Sequence, residues 1–133
     1  MSTHTKHKFS GKVWIEYEGN PLIGKGGAEI LEGIAKENSI SKAAETLGMS
    51  YRYVWNYLKK IEKTIGEPIV DTYRGGKAGG GGAKLTETGK SLLAEYTRLE
   101  NCLSEFLSEK KNMGGEKLEV KRKKPPQRKS NRS

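Results

Sequence analysis

Basic, amide and aromatic side chains recur at helical spacing in the sixteen residues from Ser50 to Ile65. Val54, Leu58, Ile61 and Ile65 follow one another at intervals of four, three and four, which predicts a helix with one apolar stripe. The opposite face carries Arg52, Asn56, Lys59 and Lys63, with Tyr53 and Lys60 beside them. Arginine and asparagine can pair with base edges and lysine with phosphates, so this face is suited to a DNA major groove.

A second, shorter helix is predicted just before it. Ser41 is the expected N-cap of this helix, and Ala44 and Leu47 would point inward. Gly48 supplies the positive φ that ends it, and Ser50 caps the helix that follows. Two helices joined by such a tight turn predict a helix-turn-helix. The alternative stays open, because the same geometry occurs in proteins that bind no DNA and basic helix faces are often only solvated.

Charge is concentrated at the end of the chain. The 133 residues carry a formal net charge of +9, and residues 114–133 hold eight Lys or Arg against Glu116 and Glu119, a net charge of +6. The first 113 residues are therefore only mildly basic. We expect residues 112–133 to be a disordered basic tail with salt-dependent attraction to nucleic acid or anionic lipid, and residues 1–8 to be a flexible N-terminus.

The composition argues against several other classes of function. No apolar run approaches the roughly 18 residues that span a membrane, and no signal-peptide core follows the polar start. The single cysteine, Cys102, fits a reducing compartment, so a cytoplasmic protein is expected, and DNA binding would make it nucleoid-associated. His4 and His7 lack further ligands or catalytic partners, and Gly89-Lys90-Ser91 lacks the earlier glycine of a phosphate-binding loop. We therefore expect no enzyme, no metal site and no cofactor.

Short strands and a glycine-rich loop are predicted around the helices. Alternation over Phe9–Glu18 predicts a strand, turned by Gly19-Asn20-Pro21 into a short second strand over 21–23. A helix is expected from Ala28 to about Asn38, with Ile30, Leu31, Ile34 and Ala35 facing inward. Pro68–Tyr73 and Ala83–Leu85 are candidate strands that flank six glycines in residues 74–82.

The glycine-rich segment is suited to the tip of a hairpin, or wing. Backbone N–H groups without side chains around them can approach a sugar-phosphate backbone, and Arg74, Lys77 and Lys84 add positive charge or enter a minor groove. An idle flexible loop is the alternative. The predicted DNA-binding residues are thus Ser50, Tyr51, Arg52, Tyr53, Asn56, Lys59, Lys60, Lys63, Arg74, Lys77 and Lys84.

The last predicted helix is long. Thr86 is its expected N-cap, and apolar residues then step by four, three, four and three, as in a seam between two helices. The members of this predicted homodimer interface are Leu92, Tyr96, Leu99, Leu103 and Phe106. Alternatively, the helix packs back on its own domain. Because Leu93 and Leu107 add apolar surface beyond what a small body would cover, we favour the dimer.

The order of these motifs resembles the winged helix-turn-helix domain of LysR-type regulators, most closely the N-terminal domain of the molybdate-responsive ModE regulators. Three features carry the ModE resemblance: Gly48-Met49-Ser50-Tyr51, Trp55 and the glycine-rich stretch 75–86. The similarity covers about residues 9–110. It implies that 50–63 reads DNA, that the wing at 74–84 touches the backbone and that the helix at 86–110 dimerises.

The expected fold class is mainly α (α+β). We expect a winged helix-turn-helix DNA-binding domain at 9–85 and a long C-terminal dimerisation helix at 86–111. Full-length ModE regulators bind molybdate in C-terminal domains, for which no residues remain here. A dimeric transcription regulator on double-stranded DNA is therefore expected, with any effector sensed by a separate partner. Two alternatives stay open: an architectural DNA-binding protein with little sequence specificity, and a protein-interaction adaptor that uses the long helix.

Overall fold

The computed structural model describes residues 7–74 and 81–113. Within these ranges there are four helices and two short antiparallel hairpins. Their bounds are β1 Ile15–Tyr17, β2 Asn20–Ile23, α1 Lys25–Glu37, α2 Ile40–Leu47, α3 Tyr51–Ile65, β3 Val70–Tyr73, β4 Gly82–Leu85 and α4 Glu87–Met113. This is the predicted mainly α winged helix-turn-helix architecture. In the described ranges, no helix is both long and apolar enough to cross a membrane.

The first hairpin turns one residue earlier than predicted. Glu18 and Gly19 form the turn with φ of 50° and 83°, and Tyr17 lies opposite Asn20. A two-residue hairpin turn of this kind needs positive φ at both central residues. Pro21 has φ fixed near −65°, so it lies in β2 instead of the turn. The predicted first strand is confirmed only over its last part, as β1.

Helix α1 begins three residues before its predicted start. Gly26 and Gly27 belong to its first turn, and a β-carbon at Gly27 would overlap the Tyr57 hydroxyl of α3. This close approach is why a glycine at this position fits between two helices. The prediction that Ala35 faces inward is wrong, because its side chain is exposed. Asn38 ends α1 in the left-handed region with φ of 55°.

The helix-turn-helix is formed by α2 and α3. Ser39, not Ser41, caps α2, since its side chain accepts the N–H of Lys42 at 3.0 Å. The helix begins at Ile40, whose side chain is buried, and the cap therefore lies two residues earlier than predicted. The predicted cap of α3 is confirmed, because Ser50 accepts the N–H of Tyr53 at 3.0 Å.

The core lies between α1, α2, α3, the second hairpin and the start of α4. Its fully buried side chains include Ile30, Leu31 and Ile34 of α1, Ala43 of α2, Val54 and Leu58 of α3, and Ile69 before β3. A β-carbon at Gly33 would lie 3.2 Å from the Ala43 side chain, so α1 and α2 are in close contact there. Truncating a side chain such as Leu58 to Ala would cost about 2–5 kcal/mol.

The second hairpin forms the base of the wing. Strand β3 pairs with β4 from Val70 opposite Leu85 to Tyr73 opposite Gly82. The bond from the Thr86 N–H to the carbonyl of Ile69, at 3.0 Å, continues this pairing by one residue. The N–H of Ala83 donates to the carbonyl of Asn38, also at 3.0 Å, and this bond joins the hairpin to the end of α1. The tip residues 75–80, with the predicted contact Lys77, lie outside the described residues, as do 1–6 and 114–133. The tail was predicted to begin at residue 112, but residues 112 and 113 belong to α4.

Helix α4 starts where the sequence predicts. The Thr86 hydroxyl accepts the N–H of Gly89 at 3.0 Å and donates to the carbonyl of Pro68 at 2.8 Å. The Thr88 hydroxyl donates to the Glu67 carboxylate at 2.7 Å. These contacts join the first turn of α4 to the loop that follows α3, so α4 leaves the body in a defined direction.

Candidate nucleic-acid interface

The outer face of α3 presents the polar side chains that the sequence singled out. Arg52, Asn56, Lys60 and Lys63 are exposed, whereas Val54, Leu58 and Ile61 are buried on the other side. Arg52 and Asn56 lie one turn apart. No carboxylate pairs with Arg52 within residues 7–74 and 81–109. The guanidinium and the amide therefore remain available to an outside acceptor or donor.

Two aromatic stacks run along α3. Tyr51 stacks on Trp55 with ring centroids 6.1 Å apart, and Tyr53 stacks on Tyr57 at 6.4 Å. Sequence reasoning missed these pairs, although the i, i+4 spacing of all four residues could have indicated them. Tyr51 and Tyr53 remain about half exposed, at 50% and 55%. Both tyrosines therefore present exposed ring surface at the start of the helix.

Tyr57 is less exposed than the other tyrosines of α3. It is half-buried and packs near the first turn of α1. Burial raises the pKa of the Tyr57 phenol, the neighbouring Tyr53 raises it further, and a hydrogen bond with the backbone of Gly24 lowers it by less. The phenol therefore stays neutral at physiological pH and supports the position of Tyr53.

Lys59 differs from the other lysines of α3. Its Nζ lies 4.4 Å from the centroid of the Trp55 ring and 3.1 Å from Oε1 of Glu62. The other oxygen of Glu62 accepts the backbone N–H groups of Ile69 at 2.9 Å and Val70 at 3.2 Å. Sequence reasoning missed Glu62; the i, i+3 spacing could have indicated its pair with Lys59, but its backbone partners follow only after the turn at Gly66.

A groove of about 600 Å³ separates the helix-turn-helix from the wing. It is lined by residues of three elements: Ser39 and Ser41 at the start of α2, Tyr51 of α3, and Tyr73 and Arg74 of the wing. A β-carbon at Gly82 would overlap the Tyr73 ring, so the wing strands are in close contact at this point. The fold thus brings two predicted contacts, Tyr51 and Arg74, to one groove.

Lys84 does not line that groove. It is exposed on β4, and Asp71 on β3 is its cross-strand neighbour. An acidic residue directly opposite reduces the net positive charge that this part of the wing offers. Of the predicted wing residues that the structure describes, Arg74 is therefore the better placed for contact with a polyanion.

The predicted seam of α4 divides into two parts. Leu92 and Tyr96 are buried in the chain's own core, with 8% and 1% exposure, and the Tyr96 hydroxyl donates to the carbonyl of Val13 at 3.3 Å. Leu103 is half-buried and lies beside Gly11. Leu99 and Phe106 are 42% and 51% exposed. The alternative that α4 packs on its own domain thus holds for its first part, and the later residues of the predicted seam are exposed or half-buried.

No group of three or more His, Cys, Asp or Glu side chains in the described ranges could hold a metal ion. Cys102 is an exposed free thiol on α4.

Known proteins are similar to this chain chiefly in the helix-turn-helix. Residues 28–90 match the bacterial regulatory helix-turn-helix protein, lysR family. The molybdenum-pterin-binding protein MopA of Rhodobacter capsulatus is 32% identical over 93 residues, which are 70% of this chain and 35% of MopA. The DNA-binding transcriptional dual regulator ModE of Escherichia coli K12 is 37% identical over 70 residues, which are 53% of this chain and 26% of ModE.

Solved structures agree on the fold. The BenM DNA-binding domain, crystallised as a complex with catB site 1 DNA, matches with a TM-score of 0.50 at 18% identity, over 68% of this chain and 94% of that one. The chain spans about a third of the length of MopA and about a quarter of that of ModE. Residues 28–90 therefore match a LysR-type helix-turn-helix model, and the proteins to which this chain is similar include ModE and Mop proteins.

Proposed function

We propose that the chain is a dimeric transcription regulator that binds double-stranded DNA with sequence preference. The observation that carries the proposal is the exposed pair Arg52 and Asn56, one turn apart on the outer face of α3 and opposite its buried stripe. Support comes from two similar proteins: the Escherichia coli relative is named a DNA-binding transcriptional regulator, and the BenM domain of the same fold was crystallised with DNA.

In this proposal, α3 enters the major groove by its N-terminal half. Arg52 pairs with guanine O6 and N7, and Asn56 with adenine N6 and N7, each contact contributing about 1–3 kcal/mol of discrimination. Ser50 and Tyr51 lie against phosphates at the start of the helix. Tyr53, Lys60 and Lys63 border the same face and add contacts along the groove walls.

The wing supplies contacts that do not depend on sequence. Arg74 lines the groove beside Tyr51, so one DNA backbone can lie between α3 and the wing. Lys77 and Lys84 are further cations of the proposed wing contact, although Asp71 opposite Lys84 reduces the charge that Lys84 adds. Such contacts position a protein on the duplex but carry no base information.

In the proposal, the DNA-binding unit is a dimer of two copies of the chain. The exposed Leu99 and Phe106 and the half-buried Leu103 share the later part of α4 and form the proposed contact between copies. Two recognition helices then read half-sites about one helical turn apart.

An architectural DNA-binding protein is the second candidate. The net charge of +6 on residues 114–133 favours it, because a polycation binds any duplex. The two candidates differ in their ratio of specific to non-specific affinity, which is large for a regulator and close to one for a packaging protein.

The test is a selection from a randomised duplex library with the full chain and three variants. Arg52→Ala and Asn56→Ala are each expected to relax preference at one position per half-site. Arg74→Ala is the matched control, since it removes a charge from the wing, and it should lower affinity without changing the preferred sequence. If Arg52→Ala and Arg74→Ala both give the unaltered preference at reduced affinity, α3 only binds phosphates and the architectural candidate is correct.

A further inference from the structure

We infer that Lys59 and Glu62 are positioning residues, which fix the wing against the recognition helix before DNA is bound. The inference rests on the proposed function, because it concerns how the two DNA-facing elements are held in register. It also revises the expectation that Lys59 itself contacts phosphate.

Both oxygens of the Glu62 carboxylate are engaged. Oε2 accepts the N–H groups of Ile69 and Val70, the two residues at which the chain enters β3, and Oε1 pairs with Lys59. The Glu62 side chain is only 15% exposed. A carboxylate that accepts backbone N–H groups forms stronger bonds than a neutral acceptor does. Glu62 therefore fastens the base of the wing to α3.

Lys59 is directed along the helix, toward Trp55 and Glu62. Its ammonium lies over the Trp55 ring, which stacks in turn on Tyr51. A lysine on the outer face of a recognition helix would ordinarily bind phosphate. The Lys59 side chain is 50% exposed, and a cation–π contact and an ion pair both favour a position of its charge over Trp55 and beside Glu62.

These contacts form a continuous series from the wing to the start of α3. The series runs from Ile69 and Val70 through Glu62, Lys59 and Trp55 to Tyr51. Tyr51 lines the groove together with Tyr73 and Arg74. Tyr73 is the last residue of β3, and Arg74 follows it. The same series therefore fixes both walls of the groove, and the width of the groove is set in the free protein.

The first experiment separates positioning from phosphate contact by salt dependence. Each phosphate contact contributes about −0.9 to the slope of log affinity against log salt. Lys59→Met keeps the alkyl stem on Trp55 but removes the charge. We expect weaker binding to the selected duplex with an unchanged slope, whereas Arg74→Met, the direct-contact control, should make the slope shallower by about 0.9. A similarly shallower slope in Lys59→Met would overturn the inference.

A double-mutant cycle tests whether Lys59 acts through Glu62. In the Glu62→Gln background, Lys59→Met should have little further effect on affinity, because the ion pair is already gone. Additive reductions of affinity in Lys59→Met and Glu62→Gln would mean that the two side chains act independently, and the positioning role would be rejected.

The free protein gives a readout that does not depend on DNA binding. In Glu62→Gln, amide hydrogen exchange at Ile69 and Val70 should be about fivefold faster, because a neutral acceptor holds these N–H groups less strongly. The Ala83 amide, which is bonded to Asn38, is the internal control and should be unchanged. Unchanged exchange at Ile69 and Val70 contradicts the inference, whereas absence of DNA binding with faster exchange contradicts only the proposed function.

Discussion

The backbone N–H of Ala83 donates a hydrogen bond of 3.0 Å to the carbonyl oxygen of Asn38. This bond joins the second strand of the wing to the turn between α1 and α2. Asn38 itself has φ of 55° and its N–H bonds to the carbonyl of Ile34. The left-handed conformation of one residue therefore directs the carbonyl that holds β4 against the helix-turn-helix.

Substitution at Asn38 should report this conformational requirement. Asn38→Val should lower the free energy of unfolding by about 1–2 kcal/mol, because β-branched residues are strained at positive φ. Asn38→Gly is the control and should be close to the original protein, since glycine adopts this region without penalty. Urea denaturation of both variants measures the difference. Equal stability of the two would mean that the turn accommodates a side chain by changing conformation.

Two glycines in first turns of helices should respond oppositely to alanine. A β-carbon at Gly89 of α4 would overlap the carbonyl oxygen of Ile69, which already accepts the N–H of Thr86. Gly89→Ala should therefore be destabilising despite the higher helix propensity of alanine. Gly26 of α1 has open space around it, and Gly26→Ala should gain about 0.4–1 kcal/mol. Thermal unfolding compares the two, and a stabilised Gly89→Ala would contradict the packing described.

The later part of α4 should determine association. Leu99→Asp introduces a charge at an exposed apolar position, so it should leave the fold intact and prevent the proposed dimer by burying that charge in its interface. Leu92→Ala, in the buried part of the same helix, should instead cost about 2–5 kcal/mol of stability without a direct effect on association. Light scattering and denaturation separate the two effects. A dimer that persists in Leu99→Asp would place the interface elsewhere.

The basic tail should act without sequence preference. Removal of residues 114–133 takes away a net charge of +6. Binding to all duplexes should weaken alike, and the salt dependence should become shallower by about 0.9 for each phosphate that the tail neutralises. Fluorescence anisotropy with the selected duplex and with a scrambled duplex measures both quantities. A change in the preferred sequence after truncation would show that the tail reads bases.

Local features of the helix-turn-helix were predictable because they depend on neighbouring residues. Helical periodicity predicts the buried stripe of α3. Backbone and capping preferences explain the glycines that end α2 and α3, Gly48 and Gly66, and the Ser50 cap. The first hairpin shows the limit of such reasoning. Alternation of apolar and polar residues predicted a strand over Phe9–Glu18, but strand pairing is confined to Ile15–Tyr17, where β2 lies opposite.

Tertiary packing decided the features that local rules leave equivalent. The sequence predicted Ser41 as the cap of α2, but Ile40 is buried as the first residue of the helix, and Ser39 is the cap. Periodicity predicted an apolar face on α4, but it does not say what covers that face, and Leu92 and Tyr96 are covered by their own domain. The role of Glu62 depends on N–H groups seven and eight residues away, which only the turn at Gly66 brings within hydrogen-bonding distance.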